Sequence, residues 1–176
     1  MTGGCNVNEK IIREKTVCFT GHRSEKLPGG EALELLRKRL ALEIERALQD
    51  GYDTFLFGGA YGFDLMAAEE VLKKKVLIDL KNPQYIRLIA VIPFEEQAVR
   101  FSVSDHEQYY EIMPQCNEVI TLNTHYSSQC YAQRNQYMVD RSNRVICCWN
   151  GQSVSGTAQT VRMAEKQNLE IINLYE

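Results

Sequence analysis

Six short apolar runs, each of strand length and each separated from the next by a longer segment, constrain this chain more than any other feature. They occupy residues 16–20, 54–57, 86–92, 118–122, 144–149 and 169–174. Leu88-Ile89-Ala90-Val91-Ile92 and Val145-Ile146-Cys147-Cys148-Trp149 are apolar without alternation, as a strand is when helices cover both of its faces. The intervening segments carry helical period. It is clearest over 31–50, where Leu33, Leu36, Leu40, Ile44 and Leu48 fall on one face and Gly51 follows as a stop. Segments 63–75, 104–113, 130–141 and 156–167 read the same way. Alternation of this kind implies βαβ units, so the expected architecture is a single three-layer α/β/α domain with a mainly parallel central sheet. A chain of 176 residues has length for one well-buried core rather than two. The domain is expected over 16–176, preceded by a flexible, polar segment over 1–15. The longest irregular stretch is 123–129, and a structureless loop in a compact domain is often functional.

The formal net charge of -3 argues against a nucleic-acid partner, because such affinity comes from clustered Lys and Arg. Six cysteines (Cys5, Cys18, Cys116, Cys130, Cys147 and Cys148) show no C-x-x-C spacing, which reads as free thiols in a reducing compartment and no zinc site. No apolar stretch has signal-peptide or membrane-spanning length, so the expectation is a cytoplasmic protein without a membrane partner. A homo-oligomer is compatible with the sequence. His22, His106 and His125 stand at no metal spacing, and no nucleophile motif of the Gly-x-Ser-x-Gly kind occurs. Neither a metal nor a catalytic residue is assigned.

Ligands of open parallel sheets bind beyond the carboxyl ends of the strands, which directs attention to the turn after each run. The first is Thr20-Gly21-His22-Arg23, a tight turn followed by two potential donors to an anion. The second, Gly58-Gly59-Ala60-Tyr61-Gly62-Phe63-Asp64, leads directly into a helix. Its glycines let a ligand approach the backbone, and the helix start offers free N–H groups to a phosphate. Asp64 reads either as a ligand contact or as a helix cap. After the fifth run, Ser155-Gly156-Thr157 opens another helix; Ser155 reads equally well as an ordinary N-cap. Arg134 and Asn135, near Tyr126, Ser127 and Ser128, can close over the crevice, with the arginine pairing bidentately with phosphate. Pro93-Phe94-Glu95-Glu96-Gln97 is polar enough to read a ribose or base. Together these turns suggest one phosphate-bearing ligand rather than a bound cofactor.

Taken in order, Thr20-Gly21-His22-Arg23, Gly58-Gly59-Ala60-x-Gly62-x-Asp64, Pro93-Phe94-Glu95-Glu96-Gln97, Arg134-Asn135-x-x-Met138-Val139-Asp140 and Ser155-Gly156-Thr157 resemble the YpsA-like family of the SLOG superfamily. The likeness runs from about Thr16 to Leu174. It implies a Rossmann-like fold and kinship with two functional groups: the DNA-processing protein A family, which binds single-stranded DNA, and the LOG phosphoribohydrolases, which split nucleoside monophosphates. By resemblance, Gly58, Gly59, Gly62, Gly156 and Thr157 line a phosphate site, and Arg134 stands where the hydrolases place a functional arginine.

One departure bears on chemistry. The hydrolases carry P-G-G-x-G-T-x-E-E, whereas this chain has Val154-Ser155-Gly156-Thr157-Ala158-Gln159-Thr160, without either carboxylate. Glycosidic cleavage needs a carboxylate to stabilise charge on the ribose or activate water, leaving Asp64, Glu95 or Glu96 to supply it. The expected function is therefore binding or sensing of a nucleotide-derived small molecule, such as a mononucleotide, ADP-ribose or an NAD derivative. Its expected ligand contacts are Gly21, His22, Arg23, Gly58, Gly59, Ala60, Gly62, Asp64, Glu96, Arg134, Asn135, Ser155, Gly156 and Thr157. A nucleoside monophosphate N-glycosidase and a single-stranded DNA-binding protein are the alternatives.

Overall fold

The computed structural model describes residues 10–79 and 85–175. Six strands and five α-helices alternate along them: β1 (Thr16–Gly21), α1 (Gly30–Gln49), β2 (Thr54–Phe57), α2 (Phe63–Asp79), β3 (Arg87–Ile92), α3 (Val103–Ile112), β4 (Glu118–Thr121), α4 (Cys130–Asp140), β5 (Arg144–Cys148), α5 (Gly156–Lys166) and β6 (Glu170–Asn173). The strands form one sheet in the order β4-β3-β2-β1-β5-β6. Every pairing is parallel, with β1 in register against β2 at Thr16↔Thr54 and against β5 at Val17↔Arg144. The expected three-layer α/β/α, Rossmann-like architecture is thus present, and the sheet is parallel throughout.

The apolar runs lack alternation because each strand feeds two cores. Val17, Phe19, Phe55, Phe57, Leu88 and Ala90 pack with the buried faces of α1 and α2, including Leu40, Ile44 and Val71. Their neighbours Cys18, Leu56, Ile89 and Val91 point the other way, onto Met138, Val139, Val161 and Ala164 of α4 and α5. Burial of each large apolar side chain contributes roughly 1.5–3 kcal/mol, so both faces carry a substantial share of stability. The sheet edges are less covered: burial alternates along β4, and Val119 is half exposed.

Of the segment expected to be flexible, residues 1–9 lie outside the described residues. Arg13–Lys15 forms a 3-10 turn. Arg13 Nε donates to the Ser142 carbonyl at 3.1 Å, fixing the chain to the domain ahead of Thr16. At the amino end of the sheet, Arg144 ties β5 to β6 and to the end of α1 by donating to Glu170 at 2.6 Å and to Asp50 at 2.7 Å. Cys18, Cys116, Cys130, Cys147 and Cys148 are free thiols, and burial pushes Cys18 and Cys147 up to about 12, which keeps them inert. Cys5 lies outside the described residues. No helix among them is long and apolar enough to cross a membrane.

Candidate functional site

Chain direction through the sheet reverses at β1, which sits between β2 and β5. Helices α1 to α3 therefore lie on one face and α4 and α5 on the other, and the loops leaving β1 and β5 part at the carboxyl edge. Such a switch point opens a crevice. Here it is a cleft of about 430 Å³, within the usual size range of small-molecule sites. One wall is Thr20, Gly21, His22 and Arg23 with the following Glu25 and Lys26, and the facing wall is Val154, Ser155, Gly156 and Thr157. Ala60 and Asp64 from the start of α2, and Tyr131, Arg134 and Asn135 from α4, complete it.

Asp64, Arg134 and Asn135 are buried charged or polar groups, 5%, 7% and 3% exposed, and each is held by partners. Arg134 Nη1 donates to the Gly58 carbonyl at 2.5 Å and Nε donates to Asn135 Oδ1 at 2.7 Å. These bonds fix the guanidinium plane. Among the described residues Nη2 takes no partner. Burial lowers the Arg134 pKa, partly offset by the nearby Asp64 carboxylate, but an arginine stays charged over the ordinary pH range. Asp64 Oδ2 accepts from the Gly58 N–H at 3.1 Å and lies 4.0 Å from Arg134 Nη1. Burial pushes the Asp64 carboxyl up to about 6, against the pull of Arg134 and of the Ala60 and Gly58 N–H groups.

This arrangement changes the role of the glycine turn. The expectation was that Gly58, Gly59 and Gly62 present their backbone to a ligand, but none of them lines the cleft. The Asp64 carboxylate occupies the place beside Gly58 and Ala60 that a bound anion would take. A Cβ at Gly58 would collide with the Arg134 guanidinium. Gly59 has φ +66°, and a Cβ there would lie 2.7 Å from Ile92 Cδ1 and 2.9 Å from Gln97 Nε2, on the side of the protein interior. Gly62 receives the backbone of Arg23 and Ser24. These glycines are required by packing within the protein.

Glu96 lies apart from the cleft. It is exposed, at the start of the 3-10 turn Gln97–Arg100, outside the cleft. The turn directs Phe94 and Gln97 inward instead, and Gln97 Nε2 donates to the Gly59 carbonyl at 3.0 Å. His22 is buried, and its Nε2 accepts from the Asn150 N–H at 3.0 Å. Burial lowers the His22 pKa, and the ring braces the loop after β5 through this bond. Arg23 is exposed, with its guanidinium 5.1 Å from the Tyr61 ring centroid.

Ser155 is the N-cap of α5, its Oγ accepting from the Ala158 N–H at 3.0 Å. That leaves the N–H groups of Gly156 and Thr157 without an acceptor among the described residues. A Cβ at Gly156 would meet nothing within 4 Å. A helix start with two free N–H groups and a buried arginine thus line one cleft, a combination suited to an anion. Among the described residues no three His, Cys, Asp or Glu side chains gather as a metal site requires.

Sequence reasoning missed Thr20, Glu25, Lys26, Tyr131 and Val154 as lining residues. Tyr131 was recoverable, since it precedes Arg134 by one helical turn and shares its face. Val154, 89% exposed at the lip, announces itself only as an apolar residue in a polar loop.

Two DNA-processing protein A structures resemble this fold. The Helicobacter pylori protein superposes with a TM-score of 0.60 at 17% identity, covering 92% of this chain and 65% of that one. The Streptococcus pneumoniae protein gives 0.59 at 15% identity, covering 92% and 50%. This chain therefore spans less than two thirds of either, and the likeness concerns the fold. In sequence it is 22% identical over 159 residues to a UPF0398 protein of Halalkalibacterium halodurans, covering 87% of this chain and 82% of that protein. A UPF0398 protein of Bacillus thuringiensis is 25% identical over 170 residues, covering 92% of this chain and 88% of the relative. The model of the YspA SLOG family matches residues 17–175, and the chain belongs to that family.

Proposed function

We propose that the cleft binds a nucleotide-derived, phosphate-bearing small molecule and that the protein acts as a binding or sensing domain. The carrying observation is that Gly156 and Thr157, at the start of α5, line the same cleft as the buried Arg134. A mononucleotide, ADP-ribose or an NAD derivative offers the anionic group such donors favour, and Asn135 and Thr157 line the same cleft. The cleft carboxylates, Asp64 and Glu25, do not stand in the hydrolase pattern, which favours binding over glycosidic cleavage.

A thermal-shift panel with AMP, ADP, ATP, ADP-ribose, NAD and ribose 5-phosphate tests the reading, because a ligand that binds only the folded state raises its stability. A shift with phosphate-bearing members, without release of free base, is the expected result. No shift with any of them overturns it. The H. pylori relative is described by its single-stranded DNA binding mode, so a single-stranded oligonucleotide is titrated in parallel at several salt concentrations. Binding by the oligonucleotide alone, falling steeply with salt, would replace the small-molecule reading.

A further inference from the structure

We propose that the cleft continues onto an aromatic platform formed by Tyr131, Tyr126 and Phe94, which receives the base of a nucleoside 5′-phosphate whose phosphate lies at Gly156 and Thr157. This inference rests on the reading above and assigns the ligand its base-bearing half. Tyr131 is the residue common to both parts: it lines the cleft, its ring centroid lies 5.8 Å from the Arg134 guanidinium carbon, and it meets Phe94 edge to face at 5.9 Å. Phe94 in turn meets Tyr126 at 5.6 Å.

Phe94 is 8% exposed and anchors the group, whereas Tyr126 is 64% exposed. Tyr126 meets Phe94 at a steep angle and Tyr131 at 6.3 Å between centroids, yet keeps most of its surface in solvent, an arrangement that suits a stacking partner. The loop bearing it is fastened in place. Asn123 Nδ2 donates to the Pro93 carbonyl at 2.9 Å and to Gln133 Oε1 at 3.1 Å, and the Glu95 N–H donates to the Asn123 carbonyl at 3.2 Å. The platform is thus set before ligand arrives, which lowers the ordering cost of binding.

A competing place for the base is the hollow of about 240 Å³ lined by Leu27, Leu36, Leu174 and Tyr175, which borders the cleft at Lys26. The edge contact between His22 and Tyr175, 6.1 Å between centroids, stands between the two spaces. Tyr175 is the one aromatic residue in its lining, so the hollow offers less for stacking than the platform does.

Calorimetric titration of the full chain with AMP, GMP, CMP and UMP, and with ribose 5-phosphate as the base-free partner, tests the proposal. The tightest monophosphate is expected to bind about ten-fold more strongly than ribose 5-phosphate, the scale of one base–aromatic stack. Tyr126→Ala should remove most of that advantage without changing ribose 5-phosphate affinity, and Tyr126→Phe should retain it. Equal affinity for monophosphates and ribose 5-phosphate in the wild type overturns the platform while leaving the phosphate reading intact. So does an advantage that survives both Tyr126→Ala and Tyr131→Leu. Failure of every sugar phosphate to bind the folded protein overturns both.

Discussion

Asp64 is where burial, charge and backbone packing meet most closely. Its carboxyl is raised from an ordinary 3.8 to about 6, with burial outweighing the attraction of Arg134. Because the folded state holds the proton more tightly than the unfolded chain, Asp64 favours folding fully only below about pH 4. That contribution is lost as pH rises through about 6, a change on the order of 3 kcal/mol across the window. Wild-type stability relative to Asp64→Asn should therefore fall between pH 4 and 6 and level off above, as measured by denaturant unfolding at a series of pH values. A difference flat in pH would show that Asp64 is not raised. The glycines make a second residue-scale contrast. Gly58→Ala drives a methyl into the Arg134 guanidinium and should cost more than about 2 kcal/mol, as overpacking of a close-packed interior does. Gly156→Ala meets open space in the cleft and should leave stability within about 0.5 kcal/mol while weakening binding of phosphate-bearing ligand, as read by titration. Equal damage to stability by both variants would refute the division between packing glycines and cleft glycine.

At the scale of elements, α5 owes its start to Ser155. Removing the cap bond to Ala158 by Ser155→Ala should destabilise the protein by about 1 kcal/mol in chemical denaturation, the ordinary value of an N-cap. Unchanged stability would mean that the start of α5 is held by its packing against β5 and α4 alone. The elements themselves were legible in the sequence because their causes are local. The stripe from Leu36 to Leu48 needs only helical period, and the strand runs need only sustained apolarity between turns. Which face each strand side chain meets was not legible, because runs apolar on both faces carry no alternation to distinguish Cys18 from Val17 and Phe19. The site was legible only in part. Gly58-Gly59-Ala60-x-Gly62-x-Asp64 has the composition of a phosphate turn, but composition does not say what fills the space beside the Gly58 and Ala60 N–H groups. That depends on the first turn of α2 bringing Asp64 back over the loop, and on α4 delivering Arg134 from the far side of the sequence. The position of Glu96 outside the cleft was illegible for a similar reason: Gln97 of the turn after β3 reaches the Gly59 carbonyl, a contact between distant segments.

For the molecule as a whole, the consequence of feeding two cores from the same strands is cooperativity. Val17 and Phe19 serve the α1–α2 side while Cys18 between them serves the α4–α5 side, so neither helical layer can leave without exposing one face of strands whose other face is still packed. Unfolding should then be a single transition. The chain supplies its own local probe, since Trp149 is the only tryptophan. It lies just past β5 in the loop that leads to α5, with its indole N–H donating to the Gln152 carbonyl at 2.9 Å. Denaturant curves followed by tryptophan fluorescence and by far-ultraviolet circular dichroism should share one midpoint. A phosphate-bearing ligand at a hundred times its Kd should move both curves together, raising stability by about 2.7 kcal/mol. If fluorescence moved first while helical signal persisted, the α5 side would be an independent folding unit, and the cleft would lie across a boundary that opens before the domain unfolds. Coincident curves would instead tie the loops after β1 and β5 to the stability of the whole sheet, and ligand binding there would be felt by every layer.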